Sequence, residues 1–146
     1  MTIKSISPFL WFNTEAGEAS QLYLSLFPNS RILNTTHYGK GMPGPEGGVM
    51  VVDMELAGQR VTLLNGGPHY KLSPAFSFSV NCEDQAEIDR LWAALGEGGA
   101  YSQCGWLTDR FGLSWQINYA GLPALMTGGK GQAVMGAMMT MQKIEI

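Results

Sequence analysis

The chain has 146 residues, a length typical of a single domain, and charged residues make up 14% of it, against roughly a quarter in average domains. Its net charge of −3 and its scattered Lys and Arg residues argue against a binding surface for nucleic acid or anionic membranes. The low charge content indicates that a partner subunit covers part of the surface, and we therefore expect a homodimer.

The lack of a recognisable targeting signal and the spacing of the cysteines predict a cytoplasmic protein. Residues 1–6 contain no long apolar signal region, and no run in the chain approaches the ~20 apolar residues that cross a bilayer. Cys82 and Cys104 do not form a CxxC pair and have no nearby histidine. We expect no disulfide between them, since cytoplasmic thiols stay reduced.

Hydrophobic patterning in the first half of the chain predicts the element order β-α-β-β-β. The helix is predicted over 15–27, with Asn13 or Thr14 as its cap. One face of this helix carries apolar residues at three- and four-residue steps, namely Ala19, Leu22, Tyr23, Leu26 and Phe27. The strands are predicted over 6–13, 30–38, 49–56 and 60–65. The Gly- and Pro-rich segment 39–48 is expected to form an exposed loop.

The same order recurs after a linker over 66–74. A strand over 75–81 precedes a helix over 84–95, whose apolar face comprises Ile88, Leu91, Trp92 and Leu95. Further strands are predicted over 101–104, 106–109 and 113–119, followed by helical segments over 122–126 and 131–142. We therefore expect one domain over 1–146, with a first module over 1–66, a second over 74–120 and a helical tail over 121–146.

The helical tail is rich in methionine. An amphipathic helix that uses methionine as adaptable packing is the simplest interpretation, while a lid over a site and a dimer contact are the alternatives.

A polar turn over 109–112, Asp-Arg-Phe-Gly, separates two apolar runs that each carry a tryptophan, and predicts a hairpin whose glycine supplies the special backbone angle. Segments 103–117 and 81–92 resemble the PhnB-like family, whose members are commonly labelled 3-demethylubiquinone-9 3-methyltransferase domains. That family is similar to the vicinal-oxygen-chelate superfamily of glyoxalases, bleomycin-resistance proteins and dioxygenases. The resemblance implies an α+β fold in which two β-α-β-β-β modules form a cup-shaped mixed sheet, with a ligand site on its concave face.

Enzymes of that superfamily commonly hold a divalent metal through His and Glu residues of the first and last strands of each module. The resemblance places the four equivalent positions near Ser7, Thr62, Ala75 and Gln116. A shift by two residues, which keeps the same face, gives Phe9, Leu64, Ser77 and Asn118. Neither set contains His, Glu, Asp or Cys, and we therefore expect no metal and no other cofactor.

Strand alternation, combined with these positions, predicts which side chains line the cup. They are Ser7, Phe9, Trp11, Thr62, Leu64, Ser77, Ser79, Ser114 and Gln116. Such a lining suits a small, neutral, partly hydrophobic ligand, although these side chains also suit a filled sheet interior without a cavity. Trp92, Trp106 and Trp115 are instead expected to be packing residues, with Trp115 pointing toward the helices.

The remaining reactive side chains give weaker signals. His37 and His69 suit surface positions, although a pairing of His37 with Asp53 or Glu55 across neighbouring strands is an alternative that gives an acid–base pair or a poor metal site. Cys104 is expected to be structural, because no neighbouring base is identifiable that would lower its pKa.

These features support three functional hypotheses. The favoured one is a metal-free small-molecule binding protein; the others are an enzyme of unassigned reaction and a protein–protein module whose Met-rich tail binds a partner helix. The methyltransferase label has no support in the sequence, because the glycine clusters at 39–48 and 128–131 do not follow the strand-to-helix pattern of a dinucleotide-type site.

Overall fold

The structure is a computed structural model that describes residues 2–146, and it divides the chain into two compact units. The first unit ends at Leu72 and the second begins at Ser73. Each unit contains the predicted β-α-β-β-β order, and two further helices follow in the second unit. The architecture is α+β, with one four-stranded mixed sheet in each unit.

The first unit contains β1 (Phe9–Phe12), α1 (Ala16–Leu26), β2 (Arg31–His37), β3 (Val49–Leu56) and β4 (Gln59–Asn65). Its strands lie in the order β1-β4-β3-β2, in which β1 runs parallel to β4 and the other pairs are antiparallel. Alternate side chains of the sheet are buried beside α1, including Leu10, Val61 and Leu63. Of the residues predicted for the apolar face of the helix, Ala19, Tyr23 and Phe27 are buried, whereas Leu22 and Leu26 are half-buried.

The strand β1 is shorter than the predicted 6–13 because its pairing begins only after Pro8. Proline lacks an N–H group, so Pro8 contributes only its carbonyl oxygen, which accepts a hydrogen bond from the Thr62 amide at 3.0 Å. The regular ladder with β4 therefore runs from Phe9 to Phe12.

The predicted cap of α1 is wrong, since neither Asn13 nor Thr14 caps the helix. The amide of Ala16 instead donates to the Asn65 side-chain carbonyl at 2.8 Å, and the Asn65 amide group donates to the Val49 carbonyl at 3.0 Å. Asn65 is buried at the end of β4. A residue 49 positions away along the chain therefore supplies the cap.

The second unit contains β5 (Ser77–Cys82), α2 (Gln85–Gly96), β6 (Ala100–Tyr101), β7 (Trp106–Thr108), β8 (Ser114–Tyr119), α3 (Leu122–Met126) and α4 (Gly131–Met138). Its strands lie in the order β5-β8-β7-β6, with β5 parallel to β8. Asp84 caps α2 by accepting a hydrogen bond from the Glu87 amide at 2.9 Å. Buried residues of α2, such as Ile88 and Leu91, lie against the buried face of β8.

Three predicted boundaries in this unit are wrong for local reasons. The strand expected from Ala75 begins at Ser77, since the Phe76 amide closes a turn onto the Ser73 carbonyl at 3.2 Å. The strand expected to reach Cys104 ends at Tyr101, since the Trp106 amide closes a turn onto the Gln103 carbonyl at 3.1 Å, within which Cys104 has a left-handed φ of 56°. The helix expected to reach residue 142 ends at Met138, after which the chain turns to pair with 104–105.

None of the helices within residues 2–146 is long and apolar enough to cross a membrane.

Candidate ligand-binding site

The first unit has a sheet face opposite the one that packs on α1, and we call it the first open face. The parallel ladder pairs Phe9 with Thr62 and Trp11 with Leu64, which places all four side chains on this face. Phe9 is 61% exposed, whereas Thr62 is buried by its neighbours. Four of the five lining residues predicted for this unit are therefore adjacent, while Ser7 precedes β1.

The Trp11 ring is held in one orientation by the linker that follows β4. Its indole nitrogen donates to the Gly67 carbonyl at 2.9 Å, and the Tyr70 ring meets it edge-on at a centroid distance of 4.9 Å. A Cβ atom on Gly66 would lie 2.4 Å from the ring, so this position requires glycine. The linker thus packs directly against a predicted lining residue.

Asp53 also lies on the first open face, and the prediction of lining residues omitted it. It pairs with Thr62 in the ladder, and the Thr62 hydroxyl donates to its carboxylate at 2.7 Å. The alternation along β3 could have predicted its place on this face, since Asp53 lies between Val52 and Met54, which are buried on the opposite face. A carboxylate therefore accompanies the aromatic and hydroxyl side chains on this face.

The alternative pairing of His37 with Asp53 or Glu55 is not formed. His37 pairs with Val49, and Asp53 lies four residues further along β3, a separation of roughly 13 Å at the usual strand rise. Glu55 is instead engaged by Arg31, whose guanidinium approaches its carboxylate at 3.1 and 3.2 Å. The hydrogen bond from Arg31 lowers the pKa of Glu55.

The second unit has an equivalent face opposite α2, which we call the second open face. Its ladder pairs Ser77 with Ser114 and Ser79 with Gln116, so all four predicted lining residues of this unit share one face. The Gln116 amide group donates to the Ser77 hydroxyl at 3.0 Å, and the Asn118 amide group donates to the Ser79 hydroxyl at 2.8 Å. Uncharged amides and hydroxyls thus form a hydrogen-bonded row along β5 and β8.

Trp106 belongs to the second open face, which corrects its assignment as a packing residue. The ladder pairs it with Gln116, and its half-buried ring borders a cavity of about 320 Å³. The other two tryptophans pack as predicted, since Trp115 is buried and Trp92 stacks on Tyr101 at a centroid distance of 4.6 Å. The three-residue strand β7 is too short for its alternation to reveal the facing of Trp106.

The hairpin before β8 is fixed by Asp109, which is only 2% exposed. One carboxylate oxygen accepts hydrogen bonds from the amides of Phe111 and Leu113 at 2.9 and 3.1 Å, and the other accepts from the Trp115 indole at 2.9 Å. Gly112 has a φ of 94°, so it supplies the predicted left-handed angle. This turn sets the register that presents Gln116 on the second open face.

The side chains at the positions that the superfamily resemblance equates with metal ligands do not fit a divalent transition metal. Gln116 contacts Ser77 rather than Ala75, which precedes β5, so its neighbouring donor is a neutral hydroxyl. Within residues 2–146, no group of three or more His, Cys, Asp or Glu residues could hold a metal ion. Neutral amides and protonated hydroxyls are weak ligands for such ions.

Both cysteines are free, and neither has the surroundings of a nucleophile. The Cys104 thiol donates to the Met138 carbonyl at 3.3 Å, which links it to the end of α4. Burial raises the pKa of the Cys82 thiol to about 11. Cys82 is therefore a protonated thiol at neutral pH.

Comparison with known proteins places this geometry in a family. The family described as 3-demethylubiquinone-9 3-methyltransferase matches residues 4–118. The chain belongs to this family. Among solved structures, the PhnB protein of Bacillus cereus, named for the same methyltransferase, is 33% identical; the match covers 80% of this chain and 100% of that protein, with a TM-score of 0.75.

Two further structures extend the comparison. Protein PA1353 from Pseudomonas aeruginosa is 25% identical over 80% of this chain and 98% of its own, with a TM-score of 0.66. The fosfomycin resistance protein FosX from Mesorhizobium loti shares only 12% identity over 82% of this chain and 94% of its own, with a TM-score of 0.55. FosX thus shows the fold alone, that of the glyoxalase/bleomycin-resistance proteins. No curated protein matches the chain.

Proposed function

We propose that this PhnB-like chain binds a small, neutral, partly hydrophobic molecule on an open sheet face, without a divalent metal. The observation that carries the proposal is the Gln116–Ser77 hydrogen bond, which joins two neutral side chains at a position where the superfamily commonly carries metal ligands. Because an amide offers a donor and an acceptor but no charge, it suits a neutral hydrogen-bonding ligand better than an ion.

The remaining side chains of the open faces support the same ligand class. Aromatic surface comes from Phe9 and Trp11 in the first unit and from Trp106 in the second. Charged side chains on the first open face are partly engaged, since Arg31 pairs with Glu55 and the Asp53 carboxylate accepts the Thr62 hydroxyl. Concave sites with mostly apolar walls and a few polar groups are typical of small-molecule binding.

Methyl transfer is not the function that this geometry supports best. An S-adenosylmethionine site of the usual kind lies at a glycine-rich turn from a strand into a helix on a parallel, doubly wound sheet. In the described part of this chain, both sheets are mixed, and the glycine-rich segment 39–48 joins two antiparallel strands. We infer that this chain does not carry out the methyl transfer that the family description names.

A thermal-shift screen with uncharged small molecules tests the proposal. A ligand present at a hundred times its dissociation constant stabilises the fold by about 2.7 kcal/mol, or roughly 5–10 °C in melting temperature for a chain of this length. We expect Gln116→Ala to abolish the shift, and Gln21→Ala, an exposed amide on α1, to preserve it. A screen in which no uncharged molecule shifts the wild-type protein would contradict the proposal.

We further propose that the protein is a cytoplasmic homodimer. Its free cysteines suit a reducing compartment. Strand β1 lies at the edge of its sheet, and the apolar side chains of Ile6 and Phe9 beside it are 88% and 61% exposed. Edge strands with exposed apolar side chains are usually covered. Light scattering at micromolar concentration is expected to return twice the chain mass, and a monomer would refute the dimer.

A further inference from the structure

The cavity on the second open face has two walls of different origin. Its sheet wall comes from Asn81, Trp106, Gln116 and Asn118, and its other wall from Leu122, Pro123, Met126 and Met138. The family match ends at residue 118. The family fold therefore supplies one wall, and residues that follow the family match supply the other.

The segment that forms the second wall is attached to the unit at both ends. At its start, the Ala120 amide donates to the Cys82 carbonyl at 2.7 Å. At its end, the amides of Cys104 and Gly105 donate to the carbonyls of Met141 and Gln142 at 2.8 and 2.7 Å. The next residues are also fixed, since Ile144 is only 4% exposed.

Between these attachments, the segment is only lightly packed. The helices α3 and α4, all of whose residues the structure describes, contain no fully buried side chain. The connection between them carries Gly128 and Gly129, where an added Cβ would meet at most one atom within 4 Å. A segment with firm ends and little buried surface opens at low cost in free energy.

The chemistry of the cavity restricts what it can hold. All ten residues that line it are uncharged. Within the described residues, the amide groups of Gln116 and Asn118 each donate to a serine, and no bond occupies their carbonyl oxygens. The indole of Trp106 offers a flat apolar surface, and methionine sulfur makes favourable contacts with aromatic rings.

We propose that residues 122–138 form a lid over the second open face, and that the cavity between them binds an uncharged, planar aromatic molecule with an amide-like edge. The ring lies between Trp106 and the methionines of the lid, and its polar edge meets the amides of Gln116 and Asn118. A charged edge is excluded because this cavity offers no opposite charge to offset desolvation. This inference rests on the proposed function, for which it names the ligand class and the lid.

Isothermal titration of the full chain with two isosteric probes tests this inference at neutral pH. Quinoline-3-carboxamide is expected to bind at least about tenfold more tightly than quinoline-3-carboxylate, a difference of about 1.4 kcal/mol. Met126→Asp places a carboxylate in the lid wall of the cavity and is expected to weaken carboxamide binding at least about tenfold. Met135→Asp, on α4 but 44% exposed and outside the cavity lining, is the matched control and is expected to leave affinity within about twofold.

Hydrogen exchange provides a second readout that does not depend on a variant folding. The carboxamide is expected to slow exchange over 122–138 and to leave exchange over α1, which does not line the cavity, unchanged. Equal affinity for the two probes, no carboxamide binding, or unaltered binding by Met126→Asp would each overturn the inference. If the probes fail but a neutral molecule from the thermal-shift screen binds in a way that Gln116→Ala abolishes, the proposed function stands and only the lid inference fails. If no neutral molecule binds, the proposed function and the lid inference both fail.

Discussion

The buried carboxylate of Asp109 is the strongest test of how the hairpin presents the second open face. In Asp109→Asn, one oxygen still accepts from the amides of Phe111 and Leu113, but an amide NH₂ replaces the oxygen that accepts from the Trp115 indole. A hydrogen bond to a charged group contributes about 1.5–3 kcal/mol, and a buried donor left unpaired costs about 1–3 kcal/mol. Because these two costs overlap, we expect a total loss of about 2–4 kcal/mol.

Urea unfolding and thermal melts measure this loss. The expected decrease in melting temperature is roughly 4–16 °C for a chain of this size. Asp84→Asn is the matched control, since Asp84 is an exposed helix cap where asparagine caps as well as aspartate, and a change below about 0.5 kcal/mol is expected. Trp115→Phe removes the indole donor, so in that background the Asp109→Asn penalty should shrink by about 1.5–3 kcal/mol.

The reasoning is refuted if Asp109→Asn unfolds within about 0.5 kcal/mol of the wild type. It is also refuted if the double-mutant cycle gives no coupling between Asp109 and Trp115, because the carboxylate would then stabilise the hairpin through other contacts.

Three further predictions concern local contacts. Asn65→Ala should lower the free energy of unfolding by about 1–2 kcal/mol by removing the cap of α1, whereas Asn13→Ala should lower it by under about 0.5 kcal/mol. Equal losses in urea unfolding would contradict the assignment of the cap to Asn65. Gly99→Ala places a Cβ 2.0 Å from the Thr108 carbonyl oxygen and should cost about 1–3 kcal/mol, unlike Gly129→Ala, which meets nothing within 4 Å; a neutral Gly99→Ala would show that the backbone shifts freely. Since burial raises the pKa of Cys82 to about 11, the unfolded chain loses this proton first, and stability should fall as pH rises from about 8.5 toward 11. Melting temperatures of Cys82→Ala should lack that component of the decrease, and an identical pH profile would contradict the assignment.

Local sequence patterns predicted the elements whose signals lie within a few residues. The hairpin turn follows from Asp109 and Gly112, and the helix predicted over 84–95 corresponds to α2 (Gln85–Gly96). Alternation along β1 and β8 also placed Phe9 and Gln116 on faces opposite the helices. In each case, the deciding contact joins residues close together in the chain or follows directly from strand geometry.

The features that the sequence could not predict depend on distant contacts. The Asn65 cap joins residues 49 positions apart, so the nearer Asn13 and Thr14 offered a misleading signal. After α4 ends, the carbonyls of Met141 and Gln142 accept hydrogen bonds from the amides of Cys104 and Gly105, whose φ angles are 56° and 83°. Such pairing leaves no periodic pattern in the sequence. The sequence indicated a lid only as one alternative for the Met-rich tail, and it did not indicate the cavity beside Trp106, whose lining includes Cys104 and Met138.

Native mass spectrometry of the protein, purified without an affinity tag, tests the central claim most directly. The folded chain is exposed to equimolar Zn²⁺ or Mn²⁺ and, separately, to quinoline-3-carboxamide. We predict an adduct of the carboxamide that Gln116→Ala loses, and well under one equivalent of either metal, because the donors around Gln116 are neutral. A stoichiometric metal adduct that Gln116→Ala abolishes would contradict the account and identify the second open face as a metal site.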